Sequence, residues 1–220
     1  MVHVSRRRPA ATMASTLTAA VLAAMIAPWT PPAGAAVVAN TWGTTLTVNL
    51  TGNESITVNC QGGTITVNFV VAPPALACTA LTSIGVTGDG GNQNVRLEQM
   101  TPAVAPNLST CSGVLGAGND TYWECPGAVD TADLGTGDDS VYMSPTGPAN
   151  STIDLGTGTD TLYQRGTPGN DAMGASSTGS STNVQVTTAT GIVNRTASSV
   201  EVLVLEGGNG NDTLTAAGVT

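Results

Sequence analysis

A short glycine-rich turn that keeps returning constrains this chain more than any other feature. Aligned on its last residue, the turn reads TGNE ending at Glu54, GGNQN at Asn94, LGAGND at Asp120, LGTGDD at Asp139, LGTGTD at Asp160, GTPGND at Asp171 and GGNGND at Asp212. The steps between these residues are 40, 26, 19, 21, 11 and 41, most of them near multiples of about 20 or its half. A chain that turns at such intervals buries the stretches between its turns by stacking them on one another. Those stretches alternate apolar with polar residues over Thr45 to Asn49, Ser55 to Asn59, Thr64 to Phe69, Val184 to Thr187 and Val200 to Leu205. Alternation of this kind is the period of a strand, and no sustained helical period follows residue 36. The expectation is an all-β fold, a parallel β-roll or β-helix solenoid of about 20 residues per coil with two short strands and two turns in each.

Ahead of the array, Arg6, Arg7 and Arg8 precede an apolar run from Met13 to Ala27, and Ala33-Gly34-Ala35 offers small residues for cleavage before Ala36. Residues 1–35 therefore read as a signal peptide, and the apolar run is short for a bilayer span. Ser5-Arg6-Arg7 leaves general and twin-arginine export both open. Cleavage removes half of the basic residues. Arg96, Arg165 and Arg195 then stand against 15 acidic residues, a formal charge of −12, and the chain has no lysine. Such a surface repels nucleic acid and anionic lipid and favours cations. Cys60, Cys78, Cys111 and Cys125 all lie in the exported part, where an even count suggests two disulfides. Of the three possible pairings, Cys60–Cys78 with Cys111–Cys125 closes the shortest loops.

The segments LGTGDDSVY, LGTGTDTLY and GGNGNDTLT resemble the nonapeptide GGxGxDxUx of haemolysin-type, or repeats-in-toxin, calcium-binding proteins. The resemblance is clear over Leu115 to Met173 and Gly207 to Thr215 and degraded before residue 110. Residues 36–110 are accordingly read as a degenerate solenoid region, and 111–220 as a calcium-binding repeat region, with truncation at its C-terminus left open. The resemblance implies Ca2+ as cofactor, held by Gly116, Gly118 and Asp120, by Gly135, Gly137 and Asp139, and by Gly156, Gly158 and Asp160. It further implies Gly169 with Asp171, and Gly208 and Gly210 with Asp212. The apolar position of the motif falls on Tyr122, Val141, Leu162, Met173 and Leu214, with Ile56 in the degraded early copy.

The chemistry suits these residue types. Glycine permits the positive φ that turns carbonyl oxygens toward a common point, and calcium takes several carbonyl and carboxylate oxygens in flexible geometry. Stacked coils bring equivalent aspartates to about 4.8 Å, close enough to repel unless a cation lies between them. Asp120, Asp139 and Asp160 are one coil apart and are expected along one edge, with Asp171 on the opposite edge. Glu54 and Asn94 replace aspartate in the early copies, where metal is expected to be weak or absent. A calcium-free β-helix whose Gly-Asn-Asp turns merely make tight corners would show part of the same pattern.

Catalytic chemistry finds few residues. The only histidine is His3, in the leader, so with no lysine the exported chain offers neither histidine-activated nucleophiles nor Schiff-base chemistry. Asp138 with Asp139, or Asp130 with Asp133, are conceivable acid/base pairs of a polysaccharide-cleaving β-helix, but ligation or turn formation explains them more simply. Trp123, Tyr142 and Tyr163 each follow an apolar motif position, so they point outward on successive coils. They form either a stacked ladder covering the sheet or a platform for carbohydrate or a protein partner. The reading is a secreted, non-catalytic calcium-binding repeat protein serving as a surface or adhesion module. The alternative is an N-terminal fragment of a larger exported protease, lipase or toxin.

Overall fold

The computed structural model describes residues 36–147 and 150–217, so the segment read as a signal peptide, residues 1–35, lies outside the described residues. The chain begins with the antiparallel hairpin β1 (Ala36–Trp42) and β2 (Thr45–Thr51), then turns into β3 (Ser55–Gln61). It folds back through β4 (Thr64–Val67) and β5 (Val70–Val71) and passes a 3-10 turn at Cys78–Ala80 on the way to β6 (Ser83–Thr87). From there it runs through β7 (Asn94–Arg96), β8 (Thr110–Val114), β9 (Thr121–Trp123), β10 (Val129–Asp133), β11 (Ser140–Met143), β12 (Ser151–Asp154) and β13 (Thr161–Arg165). A meander of β14 (Ala172–Thr178), β15 (Ser181–Thr188) and β16 (Gly191–Ser198) follows, and β17 (Val202–Glu206) and β18 (Thr213–Ala217) complete it.

These strands form two sheets that the chain visits in alternation. One sheet has the order β1-β2-β6-β8-β10-β12-β16-β15-β14-β18, the other β17-β13-β11-β9-β7-β3-β4-β5. Pairing is parallel from β2 through β16 in the first sheet and from β3 through β17 in the second. The fold is all-β, as expected, but the sheets are mixed rather than uniformly parallel. Antiparallel pairs occur at β1–β2, at β3–β4–β5 and at β14–β15–β16, because tight glycine turns such as Gly43, Gly62-Gly63 and Gly179 reverse the chain there at once. Strand pairing is continuous across residue 110, where β8 pairs in register with both β6 and β10. Among the described residues no helix is long and apolar enough to cross a membrane.

Period-2 alternation decides which side chains meet between the sheets. In β2 the buried residues are Leu46, Val48 and Leu50, with threonines and Asn49 turned out. Cross-strand register carries the same inward rows along the array: Val48, Val86, Gly113, Ala132, Ile153 and Ala197 in the first sheet, and Ile56, Val95, Tyr122, Val141, Leu162 and Leu203 in the second. Gly113 belongs here for a packing reason: a Cβ on it would lie 3.0 Å from the Tyr122 ring. Tyr122, Val141, Leu162, Met173 and Ile56 are buried, as the motif requires, whereas Leu214 is 49 % exposed on β18.

One stretch of the interior is polar. Tyr122 Oη donates to Asp130 Oδ1 at 2.6 Å, the Cys125 N–H donates to the same carboxyl at 3.2 Å, and the Asp130 N–H donates to Ser151 Oγ. Beside this group, Arg195 Nε donates to Glu124 Oε1 at 2.7 Å with both side chains 1 % exposed. Burial, and next the Glu124 charge, push the Asp130 carboxyl well above the usual carboxylate range, against the lowering effect of the Tyr122 hydroxyl. The cysteines divide unequally. Cys60 and Cys78 form a disulfide, as the loop lengths suggest. Cys111 and Cys125 do not form the expected second one: both are buried free thiols, the Cys125 thiol donates to the Met100 carbonyl at 3.7 Å, and burial pushes the Cys111 thiol up.

Candidate functional site

The recurring turns run along the edge where each strand of the first sheet passes into the second. Gly116, Gly118, Gly135, Gly137, Gly156 and Gly158 all have positive φ, between +92° and +155°. They are also in close contact with one another. A Cβ on Gly135 would overlap the Gly116 carbonyl oxygen, and one on Gly156 would overlap that of Gly135; Gly137 and Gly158 stand in the same relation to Gly118 and Gly137. Both conformation and space therefore demand glycine. Parallel bridges between Ala117, Thr136 and Thr157 tie the turns together, the Thr136 and Thr157 N–H groups donating to the Gly116 and Gly135 carbonyls at 2.9 Å.

Two rows of side chains stitch this edge in opposite senses. In the inner row each acid accepts from the backbone one turn upstream: the N–H of Gln93 donates to Asp120 Oδ1, that of Asp120 to Asp139 Oδ1, that of Asp139 to Asp160 Oδ1 and that of Asp160 to Glu201 Oε2, at 2.6 to 2.9 Å. In the outer row each side chain accepts from the turn downstream, with Asn53, Asn92, Asn119 and Asp138 taking the N–H groups of Asn92, Asn119, Asp138 and Thr159. Asp120, Asp139 and Asp160 are thus brought together in one file, each about 1 % exposed or less.

The second oxygen of each inner acid is the chemically open one. Oδ2 of Asp120, Asp139 and Asp160 is buried without a hydrogen-bond partner, and Gln93 Oε1 is in the same condition one turn upstream. An ionised carboxylate in this position is costly. Burial pushes the Asp120 carboxyl up to about 6 and that of Asp139 to about 7, in the latter case with help from the Asp120 and Asp160 charges. Asp160 is raised as well, by burial and then by the neighbouring Glu201 charge. The row can lower this cost by taking up a proton or a cation.

Asp171 and Asp212 belong to the other edge, since their turns carry the chain from β13 and β17 of the second sheet into β14 and β18 of the first. The same stitching recurs there, the Asp171 N–H donating to Asp212 Oδ1 and the Asn211 N–H to Asn170 Oδ1. Gly208 and Gly210 have positive φ, while Gly169 does not. Asp171 differs from the acids of the first edge in being taken up locally: Thr167 donates to it through both its N–H and its hydroxyl. Among the described residues no three acidic, histidine or cysteine side chains converge on one point.

Two members of the inner row escape sequence alignment. Gln93, not Asn94, stacks with Asp120, and Asn94 pairs one place later with Thr121. Glu201 continues the row after Asp160 without a glycine turn, at a corner where Ser199 takes the positive φ. The row of acids in the sequence could not show that its next member was a glutamate. The outward aromatics stack face to face: Trp123 and Tyr142 have ring centroids 3.9 Å apart and Tyr142 and Tyr163 4.4 Å, each pair within 5° of parallel. The Arg96 guanidinium lies 4.9 Å from the Trp123 ring centroid. Tyr142 has both ring faces engaged by its neighbours in this stacked ladder. Comparison with family models, with curated proteins and with solved structures found no match.

Proposed function

We propose that this chain is a secreted, non-catalytic calcium-binding repeat protein in which Ca2+ held along the glycine–aspartate edges stabilises a β-solenoid that serves as a surface or adhesion module. The observation that carries the reading is the file of buried, unpartnered Oδ2 atoms on Asp120, Asp139 and Asp160. Hard anionic oxygens at about the strand spacing, in a site that penalises their charge, are the donor chemistry calcium selects. The alternation of parallel strands between two sheets supports the solenoid part of the reading.

On the first edge Asp120, Asp139 and Asp160 would hold the ion, with the turn carbonyls of Gly116, Gly118, Gly135, Gly137, Gly156 and Gly158 as further oxygens. On the second edge Asp171 and Asp212 would do so with Gly169, Gly208 and Gly210, and the bonds from Thr167 to Asp171 make this the weaker edge. When bound, calcium supplies positive charge between carboxylates that otherwise repel one another. The chain's own part is to fix those carboxylates by their Oδ1 bonds and to exclude water from Oδ2. With no lysine, and the only histidine in the leader, no nucleophile–base pair is available around the edge.

Isothermal titration of the purified chain with calcium and with magnesium tests this. Saturable calcium binding that raises the melting temperature, with magnesium much weaker, is the expected result. Identical unfolding curves in calcium and in chelator would reject it.

A further inference from the structure

Away from both acidic edges, the outer face of the first sheet hollows where β14, β15 and β16 lie side by side, leaving a depression of about 450 Å3. Ser176, Asn183, Gln185, Asn194 and Thr196 line it. These side chains hold one another in place: Gln185 Nε2 donates to Asn194 Oδ1 at 2.8 Å, and Thr196 Oγ1 donates to Asn183 Oδ1 at 3.2 Å. Each amide keeps further donors and acceptors after making that one bond.

The floor includes Gly174, paired with Gln185 in the middle of β14. Its φ lies outside the left-handed region and a Cβ there would meet nothing within 4 Å. Neither a turn nor a neighbouring backbone accounts for a glycine at this place. In a strand interior, a glycine leaves the backbone open to close approach by a ligand.

The chemistry of the lining narrows the occupant. Its exposed groups are amides and hydroxyls, while Arg195, which borders the hollow, is 1 % exposed at its side chain and engaged by Glu124. A charged ligand finds no counter-charge, and a chain of formal charge −9 repels anions at longer range. An extended peptide finds no open backbone, because β14, β15 and β16 are each paired on both sides. We infer that this hollow binds a neutral oligosaccharide through hydrogen bonds from paired amides to sugar hydroxyls, independently of any metal on the edges.

The test is titration of the purified chain with neutral gluco-, manno- and N-acetylglucosamine oligosaccharides, with polygalacturonate and an extended peptide as comparators. The expected result is saturable binding of at least one neutral oligosaccharide. Affinity should fall by about ten-fold in an Asn183→Ala/Asn194→Ala double variant, the loss of roughly two neutral hydrogen bonds. Gly174→Trp, which fills the hollow, should abolish binding with an unchanged circular dichroism spectrum. Should Gly174→Trp unfold the chain, the exposed asparagine pair carries the test. Failure of every neutral oligosaccharide to bind, binding confined to polygalacturonate or the peptide, or binding that survives the variants in folded protein would overturn the inference.

Discussion

The backbone N–H of Asp120 donates to Oδ1 of Asp139, 19 residues downstream, at 2.7 Å, and the other oxygen of the same carboxylate is buried without a partner. One side chain thus performs two separable tasks. Oδ1 closes the backbone hydrogen bonding of the turn upstream, and Oδ2 carries the chemistry left over.

Substitution separates the two tasks. Asp139→Asn keeps an oxygen to accept the Asp120 N–H but removes the charge, so in chelator at neutral pH the variant should be at least as stable as the parent. It should also lose most of the stabilisation that calcium confers. Asp139→Ala leaves the Asp120 N–H unsatisfied and should cost about 1–3 kcal/mol in either condition. Urea unfolding of the three proteins, with calcium and with chelator, reads both effects.

The pH dependence follows from the raised carboxyls. Asp120 at about 6 and Asp139 at about 7 lie above the ordinary aspartate value of 3.8, so the folded state binds more protons than the unfolded state between those limits. Stability from this source is fully present below 3.8 and lost as pH rises through 6 to 7. In chelator, the unfolding midpoint should fall from mildly acid to slightly alkaline pH. Calcium should flatten that slope, because the ion competes with the proton for the same oxygens. A slope that is unchanged by saturating calcium would speak against metal on this edge.

Two glycines with positive φ should respond very differently to alanine. At Gly62, with φ +57° and open space around a Cβ, only backbone strain is added, about 1 kcal/mol. At Gly135, φ +92° is combined with overlap onto the Gly116 carbonyl oxygen, so Gly135→Ala should push two turns apart and cost several-fold more. Thermal melts of the two variants, compared under one buffer, give the difference directly.

How much of this was legible in the chain varied with the kind of signal. Strict alternation in TLTVNLT and in the residues after each glycine turn marked the strands and their buried faces, because a side-chain period of 2 has only one sheet solution. The file of Asp120, Asp139 and Asp160 was legible because the same corner recurred with the same residues. Gln93 and Glu201 were not, since their corners keep the hydrogen bond while abandoning the glycine–aspartate spelling. The antiparallel hairpins were missed for a related reason: Gly62-Gly63 and Gly179 are hairpin turns, and composition alone does not distinguish a glycine that reverses a strand from one that hands it to another sheet. Nor could sequence position foretell that Arg195 would reach across 71 residues to Glu124.

That buried pair supplies a further prediction. Glu124→Leu leaves the Arg195 guanidinium without its partner in the interior and should cost about 3–5 kcal/mol, whereas a Glu124→Leu/Arg195→Leu double variant should be markedly less damaged. Equilibrium unfolding of the two single variants and the double variant closes the thermodynamic cycle.

The inner row joins residues 27, 19, 21 and 41 positions apart by the same bond. Constant corner geometry with unequal contour length makes the Asp120–Asp139–Asp160 edge a ruler and the far side, apart from the Asp171 and Asp212 turns, a place for inserted material, as the whole β14–β15 hairpin between β13 and β16 illustrates. Foreign loops grafted on that far side should ride on the scaffold without altering its graduations.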